Sequence, residues 1–136
     1  MQARYPHMSP LDARVWRRFL ILHPLKFRAL TYDVTVGTGA FAWDVPDINP
    51  PSEWLALAAK RIDVVGKWAD EIAIIEVKPR ASMSALGQVL SYIDLYRQKE
   101  KPSQRVSGWV VCEHRDEDLV PTFVRFGIGV VAVGLS

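Results

Sequence analysis

Residues 61–92 read RIDVVGKWADEIAIIEVKPRASMSALGQVLSY, and this stretch decides the fold. Ile62, Val64 and Val65 form one short β-branched run, and Ile72, Ile74, Ile75 and Val77 form a second. Between them GKWADE is polar, contains Gly66 and suits a tight connection. An antiparallel hairpin folded about Ala69 and Asp70 sets Asp63 opposite Glu76, and directly opposed residues share a face with Cβ atoms roughly 5 Å apart. Side chains alternate along a strand, so Lys78 joins Glu76 on that face while Ala73, Ile75 and Val77 take the other. A one-residue slip would carry Asp63 away, so the convergence depends on register. After the hairpin, Ser82 caps a helix expected over 83–99, with Leu86, Val89, Leu90, Ile93 and Tyr96 toward the core.

Asp63, Glu76 and Lys78 interrupt runs that otherwise read as buried strand. Charges in such places are costly to desolvate unless they pair or bind a metal. Two carboxylates held that close repel each other unless a cation sits between them. Oxygen ligands of this kind suit Mg²⁺ or Mn²⁺, and a metal on Asp63 and Glu76 lowers the pKa of a bound water. Lys78 is then placed to orient that water or to neutralise charge on a phosphodiester in transit. The bland alternative is a solvated sheet face carrying a cross-strand pair. For Gln88 and Tyr92, an i, i+4 pair on a half-exposed helix is equally ordinary.

Together these residues match a family. Asp63, a spacer and then Glu76-Val77-Lys78 resembles the PD-(D/E)xK, or restriction-endonuclease-like, nuclease superfamily. Gln88-x-x-x-Tyr92 in the following helix is similar to the Q-x-x-x-Y addition of its RecB-type and lambda-exonuclease-type branches. The likeness is good over 61–98, and GWVVCEH and FGIGVVAVG resemble the later strands of that core. One departure is Ile62, where Pro commonly precedes the Asp. The resemblance implies a DNA nuclease with Asp63 and Glu76 as metal ligands, the Val77 carbonyl as a third, and Lys78 as the catalytic lysine. It assigns Gln88 and Tyr92 a supporting or substrate-touching role. An acid from the first helix often completes the site in this superfamily, which makes Asp12, with Glu53 just before the hairpin, a further candidate. For Asp12 the helix dipole is an equal explanation.

Length and composition bound the rest. A chain of 136 residues has room for one substantial core. Hydrophobic content of 49% reads as globular. No apolar run reaches the length of a membrane span, and MQARYPHMSP lacks the apolar stretch of a secretory signal. A lone Cys112 forms no internal disulfide and fits a reducing compartment. The expected setting is cytoplasmic, or a virion if the source is viral. His7, His23 and His114 show no ligand spacing, and no Gly-rich nucleotide loop is present. The net charge of +2 is too small for binding nucleic acid by bulk electrostatics. Arg17, Arg18, Arg61, Lys67 and Arg80 nonetheless cluster in the first helix and around the carboxylates, where they suit phosphate contacts. The outer face of an amphipathic helix explains Arg17 and Arg18 nearly as well.

Along the chain, residues 1–8 read as a loose arm. Ser9-Pro10 opens a helix through LDARVWRRFLILH with Leu11, Val15, Phe19 and Leu22 on one stripe. Residues 26–36 turn β-branched and suggest a strand. A Pro- and Gly-rich excursion follows over 37–53, then a short strand or helical turn at 55–59. VSGWVVCE reads as a buried strand, RDEDLVPTFVRFG as a short helix ended by Gly127, and IGVVAVGL as a last strand. The order α-β-β-β-α-β-α-β predicts a single α/β domain over 1–136 with a central mixed sheet flanked by helices, and the resemblance implies that this domain is restriction-endonuclease-like. The last two strands should pair in parallel.

A metal-dependent deoxyribonuclease is therefore the leading expectation. A non-enzymatic structural or assembly subunit on the same fold, in a viral particle or larger nucleoprotein complex, is the alternative. Within the nuclease class, a homodimer gripping branched DNA is a third reading.

Overall fold

Ser9 and Pro10 start the first helix by simple chemistry. Ser9 stays extended (φ −61°, ψ 160°), its hydroxyl accepts the Asp12 N–H at 3.0 Å, and Pro10 has no amide to leave unpaired. In the computed structural model, which describes residues 5, 7–24, 26–37 and 60–134, this helix is α1, Pro10–Leu22. There follow β1 (Ala29–Val36), β2 (Lys60–Trp68), β3 (Glu71–Ala81), α2 (Met83–Glu100), β4 (Arg105–Arg115), α3 (Val120–Arg125) and β5 (Ile128–Ala132). The expected element order is thus present. Most of the excursion at 37–53 and the segment 55–59 lie outside the described residues; Gly37 closes β1 in a left-handed bend (φ 79°).

The strands form one sheet in the order β1-β2-β3-β4-β5. β1–β2 and β2–β3 are antiparallel, while β3–β4 and β4–β5 are parallel, so the sheet is mixed as expected. On one face Val15, Trp16 and Phe19 of α1 pack on Val64, Ala73, Ile75, Val77 and Val111. On the other, Ala85, Leu86, Val89 and Tyr96 of α2 and Phe123 of α3 cover Ile62, Val65, Ile72, Ile74, Val110 and Cys112. Both faces of β3 are covered, which is why its sequence is a nearly continuous apolar run. None of the described helices is long and apolar enough to cross a membrane.

One expectation needs correction. The α1 stripe is rotated: Ala13, Val15, Trp16 and Phe19 are buried, whereas Leu22 is 45% exposed. Trp16 draws the helix round, because its fully buried indole donates its Nε1–H to the Tyr32 hydroxyl at 3.0 Å and turns its edge to that ring. Of the expected arm, residues 1–4 and 6 lie outside the described residues; Tyr5 and Met8 pack against the α1-side core, and the Tyr5 ring sits 5.0 Å from that of Tyr32.

β3 runs past its apolar core to Ala81. Its ladder with β4 pairs Lys78 with Cys112 and Arg80 with His114, passing over Pro79, which has no N–H to give. Ser82 then caps α2 by accepting the Ala85 N–H at 3.2 Å.

Candidate active site

The β2–β3 ladder pairs Trp68 with Glu71, Lys67 with Ile72, Gly66 with Ala73, Val65 with Ile74 and Val64 with Ile75. The turn falls at Ala69 and Asp70 as expected. One rung further, the same register sets Asp63 against Glu76. There the backbone pairing ends and side chains take it over: the Val77 N–H donates to Asp63 Oδ2 at 2.9 Å, and the Asp63 N–H donates to Glu76 Oε1 at 3.4 Å. The two strands fork, and the carboxylates fill the fork.

The faces are not quite those expected. Ala73, Ile75 and Val77 do point together, into the α1-side core. Alternation then leaves Glu76 and Lys78 on the α2 side. Asp63 does not simply join them. Ile62 packs in the α2-side core while Val64 packs in the α1-side core, although residues two apart on a regular strand share a face. β2 therefore rolls over at Asp63. β1 does the same in step: Leu30 and Tyr32 lie on the α1 side, Val34 and Val36 on the α2 side. Between them Asp33 has φ 55°, in the left-handed region. No residue is inserted, because Tyr32 still pairs with Val64 and Val34 with Ile62. The roll aims the Asp63 carboxylate into the sheet plane, at the Val77 amide.

Burial sets the electrostatics. Glu76 is 1% exposed, and it is the one buried charged side chain among the described residues. Desolvation, then the neighbouring Asp63 charge, pushes its carboxyl up to about 8, with Lys78 pulling the other way. The Lys78 ammonium stands 3.8 Å from Glu76 Oε2 and is 31% exposed. Burial also raises Asp63, opposed by the Val77 N–H bond and Lys78. Asp12 raises it further by its charge, so the α1 acid reaches the fork from the opposite layer. Asp12 Oδ1 is itself buried with no hydrogen-bond partner, which the helix dipole alone does not explain. From α2, Tyr92 comes close enough that the charges of Glu76 and Asp63 add to burial in raising its hydroxyl.

This donor set fits a hard divalent cation. Asp63 and Glu76 are adjacent, poorly hydrated carboxylates that a positive ion would relieve, and Asp12 holds an unpartnered oxygen nearby. The N–H and C=O of one strand residue leave on the same edge, so the Val77 carbonyl faces β2, on the Asp63 side. Among the described residues no three acidic, imidazole or thiol groups close on one point. Mg²⁺ tolerates that, because it keeps several waters and uses few protein carboxylates.

The other candidates are spread more widely. Gln88 lies one turn before Tyr92 and donates its amide to Ser84 Oγ at 3.2 Å. Arg61 pairs with Thr35 beside the fork. Arg80 is exposed beyond Lys78, and Lys67 sits four residues from Asp63 toward the turn, about 13 Å along the strand. Arg17 and Arg18 follow Asp12 by five and six residues on α1, about 8 Å along its axis. Glu53 lies outside the described residues. An apolar pocket of about 60 Å³ beside Phe19, Phe27, Ile75 and Trp109 is at the other end of α1, where Lys26 stands over the Trp68 and Trp109 rings. It is separate from the fork. Sequence reasoning missed Asp33. The signal was there: an acid in the middle of TYDVTV, of a residue type that tolerates positive φ.

No family model matches the chain, and no curated protein does. Its fold is similar to a solved structure of an EndoMS–double-stranded DNA complex, with a TM-score of 0.53 at 14% identity, over 98% of this chain. The chain spans about half the length of that one, 49%. At this identity the likeness shows the fold alone: a mixed five-stranded sheet flanked by helices, of the α/β class.

Proposed function

We propose that this chain is a divalent-metal-dependent nuclease that hydrolyses phosphodiester bonds in DNA. One observation carries the reading: the buried Glu76 and the half-buried Asp63 sit together in a fork of the sheet with Lys78 beside them. Isolated buried carboxylates of this kind destabilise a fold unless they do something there. The DNA on the EndoMS structure supports DNA as the substrate class.

Asp63 and Glu76 would hold Mg²⁺ or Mn²⁺, with the Val77 carbonyl as a third ligand and Asp12 in reach through water. Bound there, the ion supplies a water of lowered pKa and a counter-charge for the phosphate. Lys78, fixed 3.8 Å from Glu76 but partly exposed, orients the attacking water or donates to a phosphate oxygen. The Val77 N–H holds the Asp63 carboxylate in one orientation, and the half-buried Tyr92 of α2 lies within reach of the charges of both carboxylates. Hydrolysis forms one P–O bond to the water oxygen and breaks one ester P–O bond, and the departing oxygen leaves protonated. Arg61 and Arg80 are the nearest candidates for gripping the strand.

The test is cleavage of labelled linear, single-stranded and branched DNA with Mg²⁺, Mn²⁺ or EDTA. Wild type should cut only with metal, and Glu76→Ala and Lys78→Ala should each lose at least about a hundredfold in rate. Undiminished cutting by Glu76→Ala, or no cutting by wild type on any substrate, would refute the proposal.

A further inference from the structure

The structure assigns Asp33 a role as the positioning residue for Asp63, through its backbone conformation rather than its charge. This rests on the reading of Asp63 as a metal-holding group. Asp33 is one of two non-glycine residues with positive φ among those described; the other, Lys101, terminates α2. A left-handed residue in the middle of a strand is unusual, and such outliers persist where the surroundings over-determine them.

Its place is informative. The β1–β2 register puts Asp33 opposite Asp63, on the rung between Tyr32↔Val64 and Val34↔Ile62. At this rung both strands exchange faces without an inserted residue: Tyr32 and Val64 lie on the α1 side, Val34 and Ile62 on the α2 side. Were Asp33 an ordinary extended residue, alternation would continue through the rung. Val34 and Ile62 would then turn toward α1, and Asp63 would swing onto the α2 face. Its Oδ2 would leave the Val77 N–H that it now accepts at 2.9 Å. The left-handed turn at Asp33 thus sets the roll, the roll opens the fork, and the fork aims Asp63 at the edge of β3 beside Glu76. Asp suits the position because a short polar side chain visits this region more readily than a branched one.

Amide hydrogen exchange at Val77, read against Ile74 in the intact ladder, tests the assignment without relying on activity. A series at position 33 separates conformation from charge. Gly accepts positive φ freely, Asn nearly so, Ala reluctantly and Val hardly at all. Asp33→Val should expose the Val77 amide, with exchange relative to Ile74 about tenfold faster or more, equivalent to about 1.4 kcal/mol. Asp33→Ala should fall between, and Asp33→Gly and Asp33→Asn should keep the protection. In the cleavage assay, Asp33→Val should lower kcat with little change in KM, and Gly or Asn should recover most of the loss. Should Asp33→Val not fold, the Ala–Gly–Asn comparison still decides. Unchanged Val77 protection in the Ala and Val proteins would overturn the proposal. So would loss of protection or activity in Asp33→Gly, which would make the carboxylate, not the backbone, the active feature. If the amide series behaves as expected while wild type cuts no DNA, the positioning role stands and the nuclease reading falls.

Discussion

Replacing Glu76 by Gln tests the electrostatics of the fork directly. The amide keeps the shape and can still accept the Asp63 N–H, so the main loss is one ionisable group. The contact with Lys78 is partly exposed and contributes little. In the wild type the folded-state pKa is raised from 4.5 to about 8. The sign follows: the unfolded chain releases the proton first, so the stability this group contributes is full below about pH 4.5 and is lost as pH rises toward 8. At about 1.4 kcal/mol per unit, metal-free wild type should lose about 3 kcal/mol between pH 5 and pH 8 from this residue. Urea denaturation in EDTA across that range should show Glu76→Gln flatter by about that amount, and more stable than wild type at pH 8. Adding Mg²⁺ or Mn²⁺ at pH 8 should raise the wild-type midpoint and leave that of Glu76→Gln unmoved. Parallel pH profiles for the two proteins would refute the reasoning, since they would mean that burial does not hold the carboxyl protonated.

The remaining predictions concern packing. Gly87 lies inside α2 with open space where a Cβ would go, so Gly87→Ala should stabilise by about 0.5–1 kcal/mol in thermal or urea unfolding. Gly129 lies under the Trp109 indole, which a Cβ would strike, so Gly129→Ala should destabilise by about 1–3 kcal/mol in the same measurement. Tyr32→Phe removes the acceptor of the buried Trp16 Nε1–H, and should cost about 1–2 kcal/mol together with a change in tryptophan emission.

Much of the site was legible in the sequence because a hairpin is a local structure. A short turn at Ala69–Asp70 and two apolar runs leave few registers, and a single one sets Asp63 beside Glu76. The helices were legible for the same reason: Ser9-Pro10 and Ser82 announce their starts within one turn of sequence. What escaped was long-range. Nothing in the α1 periodicity says that Trp16 will seek a hydroxyl on β1, and that contact turns the buried stripe away from Leu22. Asp12 was ambiguous because its first-turn position suits any helix; only the docked layer leaves its Oδ1 unpartnered. The roll at Asp33 and Asp63 escaped because alternation is assumed constant along a strand, and one left-handed residue suffices to reset it.

The two carboxylates of the fork are mounted differently. Glu76 stands on β3, which is paired with β4 from Glu71 to Ala81 and covered by a helix layer on both faces. Asp63 stands where β2 has parted from β3, and two bonds span the gap, from the Val77 N–H to Asp63 Oδ2 and from the Asp63 N–H to Glu76 Oε1. Glu76 is therefore held by a strand hydrogen-bonded along its length to β4, and Asp63 by a strand whose ladder at that rung runs only to β1. On the proposed nuclease reading, that asymmetry would let the separation of Asp63 and Glu76 adjust from the β2 side while β3 keeps its place.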